Sequence, residues 1–313
     1  MQTTIGQLDG DHAEVFARVR TIEVDGAGNV YVLDGQTSDI HVFNRNGSHV
    51  TSYRHSGKGP RELLGIRGSD LDSEGILHVA DAGNGRISTF ELDGDSLAFK
   101  TVTTLRFRPE DVCVLGGRRY VLHQPGPSSE PTISEIDGDG QVIRRFASPE
   151  EPQGARQRRE LGRAPHMLNW GYVACDEATR TIVKFNWLVP IVRAFGPEGE
   201  VRWQTTLDDY VPWQLWPNRR GQCCRYRPNP DEGFSHSGRA VVTDRNGHVL
   251  LGLQIEGPRS AENRRHELLV LDISSGRVID RYRTSGAVGA VGNGLIFTYA
   301  EDPFPQLRVF ATR

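Results

Sequence analysis

The chain has 313 residues, 35 of them glycine and 17 proline, with a formal net charge of -3, a pI near 6.4 and a mean hydropathy of -0.47. No apolar run approaches the ~18 residues that a membrane-spanning helix needs, and the acidic balance argues against nucleic acid as a partner. A hydrophobic share of 37 % suffices for a packed core, so wholesale disorder is excluded.

The N-terminal stretch MQTTIGQLDGDH has neither a basic region nor an apolar run, so no signal peptide is read there. The expectation is a cytoplasmic protein or a processed form of an exported one. Internal repetition follows. Residues 22–43 (IEVDGAGNVYVLDGQTSDIHVF) and 69–90 (SDLDSEGILHVADAGNGRISTF) align at a period of 47 residues. Asp25 meets Asp72, Asp34 meets Asp81, Ile40 meets Ile87 and Phe43 meets Phe90. Each copy reads as alternating strands separated by Gly-rich polar turns, that is, one four-stranded antiparallel sheet.

Weaker copies continue to the end of the chain, giving six units at about 20–60, 66–107, 109–149, 166–207, 239–284 and 286–313. The last is one strand short, and a strand from within Thr3–Val19 completes it. The expected fold is all-β: a six-bladed β-propeller, one domain over 1–313, closed by strands from both termini. The glycine excess then follows from the turns of about two dozen short strands.

Asp81-Ala82-Gly83-Asn84-Gly85-Arg86-Ile87-Ser88-Thr89-Phe90 and the linker Gly57-Lys58-Gly59-Pro60-Arg61-Glu62-Leu63 resemble the blade consensus of NHL-repeat six-bladed propellers. The resemblance is carried by residues from about 20 to 105. In the first blade Asp39 stands at the Arg-like position. Proteins of this architecture include peptidyl-hydroxyglycine lyases, calcium lactonases, strictosidine-synthase-like proteins, TolB-like propellers and binding scaffolds. The metal-ligand pattern of those enzymes is not found here, and the resemblance implies a fold without selecting a function.

Function is expected on the propeller face that carries the loops between second and third strands. Residues 208–234 form the largest departure from the repeat, an insertion holding Trp213, Trp216, Tyr226, Arg219, Arg220, Arg225 and Arg227. Such a mixture suits an anionic or aromatic ligand through stacking and bidentate hydrogen bonds, and equally suits a packed cap over one face. Arg67, Arg86 and Arg239 join this set as substrate-binding candidates.

His123, His166 and His236 fall on adjacent blades. They read as a zinc-type metal site, as a source of a catalytic base, or as hydrogen-bonded structural histidines. Glu110 and Asp111 are further catalytic candidates. Asp34, Asp81 and Asp176 read as turn caps or as a carboxylate ring for calcium. No G-x-S-x-G elbow, P-loop or dinucleotide fingerprint occurs, so no nucleotide cofactor is expected.

Cys113, Cys175 and the Cys223–Cys224 pair form no C-x-x-C, which excludes a zinc ribbon and a thioredoxin-type motif but allows one disulfide. The combined expectation is a channel-mouth site for a small anionic or aromatic molecule or peptide. If the protein is an enzyme, hydrolase, lyase or isomerase chemistry with a histidine base and arginine anion binding is expected. The competing class is a non-enzymatic scaffold for a protein or peptide partner.

Overall fold

The computed structural model describes residues 3–8, 14–125, 130–151, 166–216, 225–244, 246–257, 264–301 and 304–311. Among these are six four-stranded sheets and one two-stranded ribbon, the architecture of a six-bladed propeller. The first sheet runs β2 (Val19–Val24), β3 (Val30–Asp34), β4 (Ile40–Phe43), β5 (His49–Tyr53); the second β6 (Ile66–Leu71), β7 (Ile76–Asp81), β8 (Arg86–Asp93), β9 (Ser96–Thr104). The third runs β10 (Pro109–Leu115), β11 (Arg118–His123), β12 (Ile133–Ile136), β13 (Val142–Phe146). The fourth comprises β14 (Gly171–Asp176), β15 (Thr181–Asn186), β16 (Ile191–Phe195) and β17 (Val201–Thr206). The ribbon is β18 (Gln214–Trp216) and β19 (Arg225–Arg227), and the fifth sheet is β20 (Ser235–Thr243), β21 (His248–Glu256), β22 (Arg265–Asp272), β23 (Val278–Thr284).

The sixth sheet joins β24 (Ala287–Gly292), β25 (Leu295–Ala300) and β26 (Gln306–Ala311) to β1 (Thr3–Ile5). Thr3 pairs with Val309 and Ile5 with Leu307, so the N-terminal strand covers the edge that β26 would otherwise expose. Ile5 is buried with Phe16, Leu307 and Val309, which fixes the closing strand by apolar packing as well as by backbone bonds.

One turn is used repeatedly. Asp25, Asn44, Asp72, Asp137 and Asp244 each accept two backbone N–H groups, from the residues two and four positions on, through one side-chain oxygen. The glycine three residues after each of them (Gly28, Gly47, Gly75, Gly140, Gly247) has φ between 80° and 91°. A side chain is strained in that left-handed region, so glycine is needed there.

The chain divides into two compact units, Met1–Val121 with Ile136–Val142 and Ser285–Arg313, and Leu122–Glu135 with Ile143–Thr284. Within the first, Tyr31, Leu33, Ile40, Val42, Leu63, Leu77, Val79 and Phe90 form a core shared by the first two sheets. Within the second, Val183, Phe185, Val192, Trp203, Leu251, Leu253, Leu269 and Leu271 pack together. Trp203 also donates its indole N–H to the Ile273 carbonyl at 2.7 Å.

The D-x-x-N-x-R segment is an architectural clamp. The carboxylate of Asp81 accepts from the backbone N–H of Leu64 (2.9 Å), from Asn84 Nδ2 (2.7 Å) and from Arg86 Nε (3.0 Å). Asn84 donates onward to the Gly57 carbonyl at 3.0 Å, and Arg86 to the carbonyls of Gly59 (2.9 Å) and Glu62. The motif therefore grips the linker that precedes its own blade. Arg86, read from the sequence as a substrate contact, stands in the structure as an architectural cation: it is 8 % exposed, with Nε bound to Asp81 and one terminal nitrogen bound to the linker. Asp34 does the equivalent work one repeat earlier, accepting from the N–H groups of Ala17, Arg18, Gln36 and Thr37.

Asp176 also caps a turn, though at a different place in its blade. It closes the turn between β14 and β15, where Thr179 donates to it through both N–H and Oγ1 at 2.7 Å. It thus matches Asp25 and Asp72 rather than Asp34 and Asp81.

Candidate functional site

In the second unit, the long insertion is folded rather than loose. β18 and β19 pair Gln214 with Arg227, Leu215 with Tyr226 and Trp216 with Arg225. Side chains alternate across a strand, so Tyr226 occupies one face of the ribbon while Trp216, Arg225 and Arg227 share the other. The Arg227 guanidinium lies 5.3 Å from the Trp216 ring and donates to Gln214. The cations and the Tyr226 face expected to act together are therefore on opposite sides. Arg219, Arg220, Cys223 and Cys224 lie outside the described residues.

On the Tyr226 side a continuous row of rings is formed. His166, exposed on the short helix His166–Asn169, meets Trp170 edge-on at 5.6 Å; Trp170 meets Trp187 at 5.6 Å, Trp187 meets Tyr226 at 5.4 Å, and Tyr226 meets Trp213 at 5.2 Å. Tyr226 remains 44 % exposed. Among the described residues the buried indole N–H of Trp213 finds no acceptor, and the buried side-chain oxygen of Asn186, the residue before Trp187, finds no donor. Gln124 ties this row to the body of the unit, accepting from Trp170 Nε1 at 2.8 Å and donating to the His166 carbonyl at 3.0 Å.

The three histidines have different surroundings. His123 donates from Nδ1 to the Gln124 carbonyl (2.9 Å), which leaves Nε2 to accept from Ser134 Oγ (2.8 Å). His236 accepts the Val211 N–H on Nδ1 at 2.9 Å, stacks on Tyr210 and meets Phe234 edge-on. Burial pushes the pKa of both down, so both are neutral imidazoles. In each, the single lone pair of the neutral ring is occupied, and neither is placed to take a substrate proton. Among the described residues no three His, Cys, Asp or Glu side chains are arranged to hold a metal ion. The zinc reading of His123, His166 and His236 thus lacks a ligand set there, as does the calcium reading. Arg239, at the bulge of β20, donates to Gln254.

Lys184 went unnoticed in the sequence as a site. It is 2 % exposed, its Nζ donates to Thr132 Oγ1 at 2.8 Å, and desolvation brings its pKa down to about 8 against the pull of Glu150.

In the first unit, Glu110 and Asp111 are buried on β10. Asp111 lies over Gly68, where a Cβ would stand 1.8 Å from its Oδ1, so only glycine fits beneath it. The charge of Glu110 attracts that of Arg67 on β6. Deeper along these strands the Glu23 carboxyl accepts from Ser69 Oγ at 2.7 Å. Desolvation, and then the negative field of Asp70 and Asp111, hold its pKa well above the ordinary value. The folded state therefore keeps a proton that the unfolded chain releases, and stability falls as pH rises through the folded pKa. Glu23→Gln is expected to raise the melting temperature at pH 8 and leave it nearly unchanged at pH 4; equal shifts at both would contradict a neutral Glu23.

Cys113 and Cys175 are both disulfide-bonded. No helix of the described residues is long and apolar enough to cross a membrane.

A family model described as a 6-bladed beta-propeller matches residues 11–134, less than half of the chain. No curated protein matches the sequence. Among solved structures, a member of the DUF4221 family from Bacteroides vulgatus superposes with a TM-score of 0.63 at 10 % identity, covering 99 % of this chain and 96 % of that one. Virginiamycin B lyase from Staphylococcus aureus superposes with a TM-score of 0.54 at 11 % identity, covering 100 % and 99 %. At such identities these likenesses establish the propeller fold.

Proposed function

We propose that this propeller binds a small molecule or peptide through an aromatic or other planar group, and that the β18–β19 ribbon supplies part of the site. The observation that carries this reading is the row Trp170–Trp187–Tyr226–Trp213, in which Tyr226 is half-exposed and the buried Trp213 indole N–H has no acceptor among the described residues. Aromatic groups gain about 0.5–1.5 kcal/mol per ring pair beyond area burial, and a buried donor favours a ligand bearing a carbonyl or carboxylate. Binding is favoured over base catalysis at His123 and His236 because their lone pairs are engaged. A lyase activity, as in the Staphylococcus aureus neighbour, would need a base from elsewhere, and His166 is the exposed imidazole beside the row.

Titration with N-acetyl-L-phenylalaninamide, followed by tryptophan emission, tests this. A saturable change is expected in the native protein, weakened about tenfold in Tyr226→Ala, the size of effect a lost ring contact of about 1.4 kcal/mol produces. No saturable response up to the solubility limit of the probe, or an unaltered response in Tyr226→Ala, would overturn the reading.

A further inference from the structure

At the strand ends that carry the D/N-x-x-G turns, the core shared by the first and sixth sheets opens to the surface as a cleft of about 600 Å³. That size suits a small molecule, and small-molecule sites are mostly apolar with a few fixed polar groups. The inner wall is largely aliphatic: Ile5 on β1, Val24 on β2, Val30 on β3, Leu295 on β25 and Val309 on β26, with Phe297 beside them. Ile5, Val30, Phe297 and Val309 are buried, whereas Val24 and Leu295 are half-buried at the opening.

Three turns build the rim. Asn293, between β24 and β25, donates from Nδ2 to the Asp25 carbonyl at 3.1 Å and so ties the turn of the sixth sheet to that of the first. The turn between β4 and β5 crosses close to Gly28, where a Cβ would stand 3.1 Å from Arg45 Cβ. The turn between β2 and β3 carries Gly26-Ala27, against Ser73-Glu74, Gly138-Asp139 and Arg245-Asn246 in the matching turns of the repeat. Its small residues leave the mouth of the cleft uncovered.

Charge at this rim has one sign. Among the described residues that line the cleft, Arg45 is the one charged side chain. It is exposed, and its guanidinium forms no ion pair or hydrogen bond with the described residues. The nearby Asp25 carboxylate is committed to the N–H groups of Ala27 and Asn29, to Asn29 Nδ2 and to the Tyr31 hydroxyl. An aliphatic wall beside a lone guanidinium complements a molecule with an apolar chain and one anionic head, since burial of the chain and pairing of the charge are satisfied together.

We propose that this cleft binds an alkyl carboxylate, its chain against Ile5, Val24, Leu295 and Val309 and its carboxylate on Arg45. The cleft belongs to the first unit and the aromatic row to the second, so this site goes beyond the aromatic one in both residues and ligand chemistry.

Isothermal titration with sodium decanoate, below the concentration at which it forms micelles, tests the site. Saturable binding is expected, weakened about tenfold in Arg45→Ala by the loss of a charge-assisted contact. Arg283→Ala, which removes an exposed arginine of β23, should leave it unaltered. Decanol keeps the chain without the charge and should bind the native protein and Arg45→Ala equally. A decanoate analogue with a diazirine on its chain locates the ligand: the labelled peptides should contain residues 24–30 or 293–297. Absence of saturable decanoate binding, an unaltered affinity in Arg45→Ala, an equal loss of decanol binding in that variant, or labelling confined to Trp187, Tyr226 and Trp213 would each overturn the proposal. The phenylalaninamide titration reads the other unit, so either reading can fail while the other stands.

Discussion

Replacing Asp81 by alanine is expected to lower the unfolding free energy by about 3–5 kcal/mol, the cost of removing one partner of a buried ion pair. Asp81 is fully buried and Arg86 nearly so. Without the carboxylate, Arg86 keeps its linker carbonyls but loses its counter-charge, while the Leu64 N–H and Asn84 amide each lose an acceptor. Asp25→Ala removes a comparable number of hydrogen bonds from a partly exposed turn, where water replaces them, and about 1 kcal/mol is expected there. Urea unfolding of the two variants measures the contrast directly. Equal destabilisation would mean that the clamp between motif and linker contributes no more than an ordinary turn.

The second large effect has the opposite sign. Lys184→Met is expected to stabilise the protein by about 3 kcal/mol at pH 6, with the gain fading as the pH approaches 10.5. The sign follows from linkage. Lys184 has a pKa of about 8 in the folded protein against an ordinary 10.5, so between these values the unfolded state binds more protons than the native state. Stability of the native sequence therefore rises with pH across that window, and below pH 8 the buried ammonium carries its full desolvation penalty, about 1.4 kcal/mol per pH unit. Methionine fills a similar volume without the charge. Thr132 keeps its bond to the Ala147 carbonyl at 3.0 Å and Glu150 keeps Arg193, so no new buried charge is left alone. Thermal unfolding at pH 6 and pH 10 reads the difference. A destabilised variant at both values would show instead that the Lys184–Thr132 contact holds the strands together.

The fold was readable because its determinants are local and repeated. The D/N-x-x-G turns, the alternation of apolar residues and the Asp81–Phe90 motif each specify backbone geometry at fixed spacing. Even the closing strand followed from counting, since a sixth blade of three strands leaves an edge that something must cover. The site was less readable because it depends on pleat and bulge. Sequence places Trp216, Arg225, Tyr226 and Arg227 together, whereas the pairing of β18 with β19 sends Tyr226 to the opposite face from the other three. Arg86 matched the composition of a ligand contact, yet its carbonyl partners lie 24 and 27 residues upstream. Lys184 was one of three lysines among 34 arginines, and its burial follows from blade packing that no local pattern encodes.

The central claim is that the aromatic row of the second unit is a ligand site. A crystallographic soak with a panel of aromatic carboxamides and carboxylates tests it most directly. Fragments should gather against Trp187, Tyr226 and Trp213, with an oxygen accepting from the Trp213 indole N–H. Fragments that bind elsewhere on the protein while leaving this row bare would contradict it.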